Sequence, residues 1–469
     1  MRLGTAAALL AAALSALLAS SCAKEAALGD AEGGAGAADA SAAGAAVTGA
    51  AAARAAAQGP TVEGGEAAVP SRARSVVFRL APPQASLIEG GAALALKGGA
   101  NGTRLGLLEP GRHLLVLAAD GYDSRLLEVL VGGSAIEVQE KLERRDSPLK
   151  LAGMAETGRR PKSVAYTPDG RHILAPLLSG RGADLFDAAT LEKVGCLEPP
   201  ERYAKVEGFV ESAVVMPLRE IWISQMYNSL IHAFDLDDFS YKASFPSGGS
   251  YPKVIAVSPD GSRAYVSNWV SEDLSVIDTA TRKLISRVKL GGTPRGLAAS
   301  SDGRYLYIAR FTGGSILRLK LSDMSLETFY APDGGAKRHL VLDEDRGRLY
   351  ATDMVRDSLF AFDLGTGSRI AEARLGPNPN TCALSPDGSV VYACTRGTNN
   401  TEDYEKDGPD SGELIAVDAA SFEVLARQWG GDQPTGLAVS LDGKRIVFSD
   451  FLDKRIEAYD LVGPIVARP

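Results

Sequence analysis

Five cations recur at one place in a repeating pattern: Lys162 in RPKS, Lys205 in YAKV, Lys253 in YPKV, Arg295 in TPRG and Arg338 in AKRH. Asn380 in NPNT and Thr435 in QPTG hold the same place further along. Like charges brought together repel, so folding alone gives no reason to assemble them. If the side chains converge, they favour an anion: a carboxylate, a phosphate or an acidic glycan. Arginine would bind it bidentately and lysine as a point charge. The alternative is that each side chain snorkels outward or pairs with a carboxylate such as Asp353 or Asp450. Asn268, Trp269, Arg310 and Phe311 fall nearby in the pattern, and the two rings would suit a ligand with an apolar or sugar face.

Signals for catalysis are few. Histidine occurs four times, at His113, His172, His232 and His339, and no two stand in metal-ligand spacing. The sequence has no Cys-x-x-Cys-His for covalent haem, no Gly-x-Ser-x-Gly elbow, no Walker loop and no dinucleotide fingerprint. The residues therefore indicate no cofactor. Gln225, Asn268, Arg310, Asp353, Thr395 and Asp450 end equivalent stretches. Asn268, Asp353 and Asp450 would have to reach across from different repeats to share a Ca²⁺, and carboxylate–arginine pairing is the plainer expectation. A hydrolase would need those oxygens together with His339 as base.

Positioning these residues falls to a repeat. Residues 250–292 read as four short strands with a turn after each, the first turn being Ser258-Pro259-Asp260-Gly261. The Asp-Gly turn recurs at Asp169, Asp302, Asp345 (with Arg346 before Gly347), Asp387 and Asp442. A second marker, an aspartate closing the third strand, falls at Asp187, Asp235, Asp278, Asp363, Asp418 and Asp460, with Lys320 in its place in the fourth unit. Most steps are 42 or 43 residues; a step of 48 into Asp235 and one of 55 into Asp418 depart from the period, the latter marking an insertion. Four strands at this period predict an all-β fold, a seven-bladed β-propeller, with units starting near Arg160, Tyr203, Tyr251, Thr293, Ala336, Asn378 and Gln433. The seventh unit lacks its fourth strand, and residues 149–155 (LKLAGMA) are expected to supply it and close the ring. In such a ring the recurrent cations and the second-to-third-strand loops share the face around the tunnel mouth. The Asp-Gly turns lie opposite, so their aspartates are structural, as are the third-strand aspartates.

Tyr265-Val266-Ser267-Asn268, between Ser-Pro-Asp-Gly and Val276-Ile277-Asp278, resembles the YVTN-type repeat propellers. The resemblance implies a bacterial or archaeal protein, often secreted or surface-exposed, within the wider seven-bladed, quinoprotein-dehydrogenase-like group. It specifies a fold and leaves function open, because propellers host enzymes, binders and scaffolds.

Ahead of the propeller, assigned to 146–469, three segments differ in composition. Residues 1–21 carry one arginine and an alanine- and leucine-rich run, the layout of a secretory signal. Leu18-Ala19-Ser20-Ser21-Cys22 resembles a relaxed bacterial lipobox, which implies lipidation of Cys22 and attachment to a bilayer. Residues 22–72 are mostly alanine and glycine, without an apolar stripe, and read as a disordered tether. Residues 73–145 contain strand-like runs, and LEPGRHLLVLAADGY from Leu108 to Tyr122 looks like the second half of a PEGA domain, a small β-sandwich. That resemblance implies a spacer or cell-surface binding module.

The net charge of −8 argues against a nucleic-acid partner. Four cysteines include Cys382 and Cys394 on the first two strands of the sixth unit; their parity suggests one face, with burial expected rather than a disulfide. The insertion, residues 396–412, is acidic and centred on Tyr404; it is either a lid over the tunnel or a disordered excursion. The reading that follows is a lipid-anchored protein of the bacterial cell envelope, facing the periplasm or the exterior. Its propeller is expected to bind an anionic small molecule, a glycan or a protein partner without turnover. A lactonase-like hydrolase and a cofactor-free subunit of a dehydrogenase-type electron-transfer complex are the alternatives.

Overall fold

The computed structural model describes residues 73–99, 103–133 and 135–465. The signal, Cys22 and the tether lie outside them. The described residues form two units that divide between Leu142 and Glu143. The first unit has two four-stranded sheets, one ordered Lys97–Gly98, Arg104–Leu108, Arg74–Ala81, Ile136–Lys141 and the other Ala92–Ala93, Ser86–Glu89, Gly111–Ala118, Arg125–Val131. Alternate residues on these strands, among them Val76, Phe78, Leu115, Leu117, Leu127 and Val129, are buried. That is the period-2 pattern of half-buried strands.

The second unit is an all-β propeller. Seven sheets follow one another along the chain, each built as an antiparallel meander. Their inner strands are Arg159–Pro161 (continued by Ala165–Tyr166), Phe209–Val215, Pro252–Val257, Pro294–Ala299, Lys337–Asp343, Pro379–Leu384 and Pro434–Val439. From the second sheet onward each inner strand packs beside the next, Phe209–Val215 packs against His172–Ser179 of the first sheet, and the seventh inner strand returns to Ala165–Tyr166. The middle strands are buried on both faces because each sheet is packed between two others. In Arg263–Asn268, Tyr265 packs toward the fourth sheet with Leu297 and Leu306, while Ala264 and Val266 pack toward the second with Trp222. Outer strands such as Lys283–Lys289 are largely exposed.

Closure follows the sequence expectation. Leu149–Glu156 pairs antiparallel with Arg455–Leu461 and completes the last sheet, so that neither end of the ring leaves a free edge. The Asp-Gly turns are also built as expected. Ser258 Oγ donates to Asp260 at 2.6 Å, and Asp260 accepts the Ser262 amide at 3.0 Å, which lowers its pKa to about 2. The third-strand aspartates close turns in the same way, Asp278 accepting the Thr281 amide at 2.8 Å. In the fourth sheet Asp323 takes this task, accepting the Ser325 amide and pairing with Lys320 at 3.1 Å.

Two expectations fail. The second inner strand begins at Phe209, after an inserted helical turn, Glu201–Ala204, and not near Tyr203. Cys382 stands opposite Ala393, with a register shift just before it, so Cys394 points to the other face of the sheet. Cys382 packs with the fifth sheet and Cys394 with the seventh; both are buried and free.

Candidate ligand site in the central channel

Strand register fixes where the cations stand. The opening residue of each inner strand pairs with the end of its second strand: Pro252 with Asn268, Pro294 with Arg310, Lys337 with Asp353, Pro379 with Thr395 and Pro434 with Asp450. The next residue is Lys253, Arg295, Arg338, Asn380 and Thr435 in turn. In the first sheet Pro161 pairs with Leu177 and is followed by Lys162. In the second, Phe209 pairs with Gln225, so the equivalent residue is Val210. Lys205 is therefore not a member of the ring. It is exposed beside the inserted helical turn and pairs with Glu201 at 3.7 Å. The five extra residues of that unit displaced the alignment.

Arg295, on the fourth sheet, bonds Glu211 of the second sheet at 3.0 Å. That contact bypasses the third sheet, so it runs across the central channel. Lys253 lies between them, its ammonium against Met226 Sδ and 5.4 Å from the Trp269 ring centre. The Trp269 and Phe311 ring centres stand 5.0 Å apart, tilted by 50°. Lys162 sits 4.4 Å from the Phe451 ring centre, a cation–π distance. Lys253, Arg295 and Arg338 are 8%, 3% and 8% exposed. Burial lowers the basicity of Arg338 well below the usual value, and Arg295 and Arg396 nearby lower it further. His339, the next residue, is held at about 3 by burial and by Arg338 and Arg295, so it is neutral at physiological pH.

The other sequence candidates serve their own sheets. Asn268 donates to Asp273 at 3.0 Å and to Ser275 at 2.9 Å. Arg310 donates to the Gly291 carbonyl. Asp353 forms a fully buried pair with Lys337 at 2.7 Å and caps the turn at Val355 and Arg356. Asp450 pairs with Arg455 at 3.2 Å. Asn268, Asp353 and Asp450 are thus each spent locally, as is the carboxylate pairing expected for the ring cations. Among the described residues no cluster of three or more His, Cys, Asp or Glu side chains could hold a metal ion.

Sequence reading missed three parts of the site. Glu211 carries no motif, and Arg396 stands outside the aligned position. The third is an apolar plug. Leu178, Val210, Met226 and Phe451 form a buried cluster against which Tyr227, Tyr251 and Tyr404 pack. These come from the first, second, third, sixth and seventh sheets, so the plug spans the channel mouth. Tyr404 brings the inserted loop, residues 396–412, across from the sixth sheet. Arg160 pairs with Glu405 at 2.8 Å, Gln433 donates to the Tyr404 carbonyl at 2.5 Å, and Arg396 lies 5.4 Å from the Tyr404 ring centre. The loop is a strap over the mouth. On the opposite face, a groove of about 550 Å³ between the third and fourth sheets is lined by Asp260, Arg263, Asp302 and Arg304. A similar groove recurs between the seventh and first sheets, so these concavities follow from the turn geometry.

Over 335 residues the chain is 37% identical to Antigen Lp49 of Leptospira interrogans serogroup Icterohaemorrhagiae serovar copenhageni, a match covering 69% of this chain and 73% of that protein. The chain belongs to the Lp49 antigen family. A shorter stretch of this Lp49-family chain, 113 residues, is 28% identical to the dihydro-heme d1 dehydrogenase of Pseudomonas aeruginosa, covering 24% of this chain and 22% of that enzyme. Hydrazine synthase of Kuenenia stuttgartiensis shares the fold, with a TM-score of 0.56 at 17% identity over 65% of this chain and 97% of the other. No protein-family model matches the chain. Among the described residues no helix is long and apolar enough to cross a membrane.

Proposed function

We propose that this Lp49-family protein is an envelope lipoprotein that captures an anionic ligand in the channel of a seven-bladed, YVTN-type propeller, without turning it over. The seven sheets are its blades, the first unit is a PEGA-like spacer, and lipidated Cys22 with the tether of residues 22–72 gives attachment and reach. The family relationship to a protein named an antigen suits exposure at the cell envelope. One observation carries the ligand reading: Lys253, Arg295 and Arg338, from three successive inner strands, are buried around one channel, and Glu211 there is bonded to Arg295. A hydrolase is the weaker reading, because His339 is neutral and the oxygens proposed to join it are engaged elsewhere.

A thermal-shift screen of anionic metabolites and acidic glycans tests this. A ligand at about a hundred times its Kd stabilises by about 2.7 kcal/mol. Lys253→Gln/Arg295→Gln should lose that gain and Lys205→Gln should keep it, since Lys205 stands outside the channel. If no anion stabilises the wild type, or the double variant responds fully, the ligand reading is wrong. For the anchor, Cys22→Ser should move the protein from the detergent phase to the aqueous phase; continued partition into detergent would contradict lipidation there.

A further inference from the structure

Arg338 and Asn380 occupy the same register position on neighbouring inner strands, one residue past the pairs Lys337–Asp353 and Pro379–Thr395. Arg338 is 8% exposed, and its guanidinium makes no hydrogen bond or ion pair among the described residues. Asn380 is 0% exposed, and both its Nδ2 and its Oδ1 lack a partner. Arg295 adds a third vacant position, because Nη2 holds Glu211 while Nη1 is unbonded. Glu211 offsets part of the charge on Arg338 without bonding it, so the guanidinium is buried without an acceptor, and each buried unsatisfied amide adds to that cost. Packing gives no reason for three such groups to stand together, whereas a bound ligand would satisfy them all.

We infer that Arg338, Asn380 and Arg295 form a subsite for a small hydroxycarboxylate. This rests on the anion reading above and narrows it. A guanidinium presents two parallel N–H donors that match the two oxygens of a carboxylate. Asn380 Nδ2 and Arg295 Nη1 are further donors for an anion. Asn380 Oδ1, by contrast, is an acceptor, so the ligand must bring a donor of its own close to its carboxylate. An ammonium group would supply one, but Arg338, Arg295 and Lys253 repel it. A hydroxyl supplies the donor without the charge. Hydrogenphosphate also carries a hydroxyl that could meet Oδ1, so inorganic phosphate is the competing class, and phosphate binding tighter than glycolate overturns the carboxylate assignment. Small size follows from the strap, whose Tyr404 packs into the plug over the mouth.

The test compares four probes on the full-length chain in detergent by isothermal titration: glycolate, acetate, glycine and inorganic phosphate. Glycolate should bind about tenfold or more tighter than acetate or glycine, because either leaves a buried partner unsatisfied or a charge repelled. Two variants accompany it. Arg338→Met removes the guanidinium and should abolish the glycolate signal. Asn380→Asp places a carboxylate beside Arg338, so it should also abolish binding while raising the Tm of the ligand-free protein; it serves if Arg338→Met fails to fold. Wild-type glycolate affinity in both variants overturns the subsite. Equal affinity for glycolate and acetate overturns the hydroxyl requirement and leaves the anion reading standing. Chloride competing with glycolate at equal affinity shows a simple ion site and overturns the class. A larger anion that depends on Lys253 and Arg295 but not on Arg338 overturns the subsite and supports the proposed function, whereas silence from every anion overturns both.

Discussion

Leu149 tests ring closure. Its side chain is fully buried with Val390, Tyr392, Leu414, Leu437 and Phe448, so it joins the sixth and seventh sheets from a strand nearly three hundred residues away in sequence. Its carbonyl accepts Gln428 Nε2 at 2.7 Å, which fixes the main chain and limits collapse around a missing side chain. Leu149→Ala removes about three carbon groups, worth roughly 2.4 kcal/mol at about 0.8 kcal/mol each. The residual cavity raises the loss to about 3–4 kcal/mol, within the usual range of about 2–5 kcal/mol for such changes. At about 1.5 °C per kcal/mol for a domain of roughly 320 residues, the propeller's calorimetric transition should fall by about 4–6 °C. Met154→Ala is the control: it lies on the same strand but is 44% exposed, and it should cost no more than about 0.5 kcal/mol. If Leu149→Ala costs as little as Met154→Ala, Leu149–Glu156 is not part of the core in solution and the closure argument fails.

Three other outcomes follow from the same geometry. Lys337→Met strands Asp353 in a fully buried site and should lower stability by about 3–5 kcal/mol in urea unfolding; a loss under about 1 kcal/mol would mean that water reaches the pair. Glu405→Ala frees the strap from Arg160, so trypsin should cut at Lys406 faster while stability changes by less than about 1 kcal/mol, and an unchanged cleavage rate would show that the latch holds nothing. His232 and His339 have folded pKa values of about 4 and about 3, below the unfolded value, because burial favours the neutral ring. Their stabilisation is complete above about pH 6.5 and is lost as pH falls toward those values, so unfolding near pH 5.5 should take up protons, and His232→Gln should reduce that uptake.

The propeller was legible because its markers are local. Asp260 and its equivalents close turns with their own neighbours, and the spacing between them needs no knowledge of the ring. The last strand was legible by elimination, since one unit lacked a strand and residues 149–155 lacked a partner. The channel was legible only in part. Lys253, Arg295 and Arg338 follow strict repeats, so alignment placed them correctly. Lys205 failed because the inserted turn Glu201–Ala204 shifts the frame, and a register shift in the inner strand put Cys382 and Cys394 on opposite faces. Glu211 and the plug could not be read at all. Arg295 and Glu211 are 84 residues apart, and Tyr404, Val210 and Phe451 meet only because the ring brings distant loops to one mouth. Asp353 looked like a rim ligand because the strand-opening position is proline in four other sheets, and the lysine that replaces it here consumes the carboxylate.

Anion capture in the channel is tested most directly by anomalous diffraction from a crystal soaked in bromide. The account predicts an ordered bromide within hydrogen-bonding distance of the Arg338 guanidinium, shared with Asn380 or Arg295, and lost in Asn380→Asp. Bromide confined to outer-surface lysines, with the channel empty beside Arg338, would contradict it.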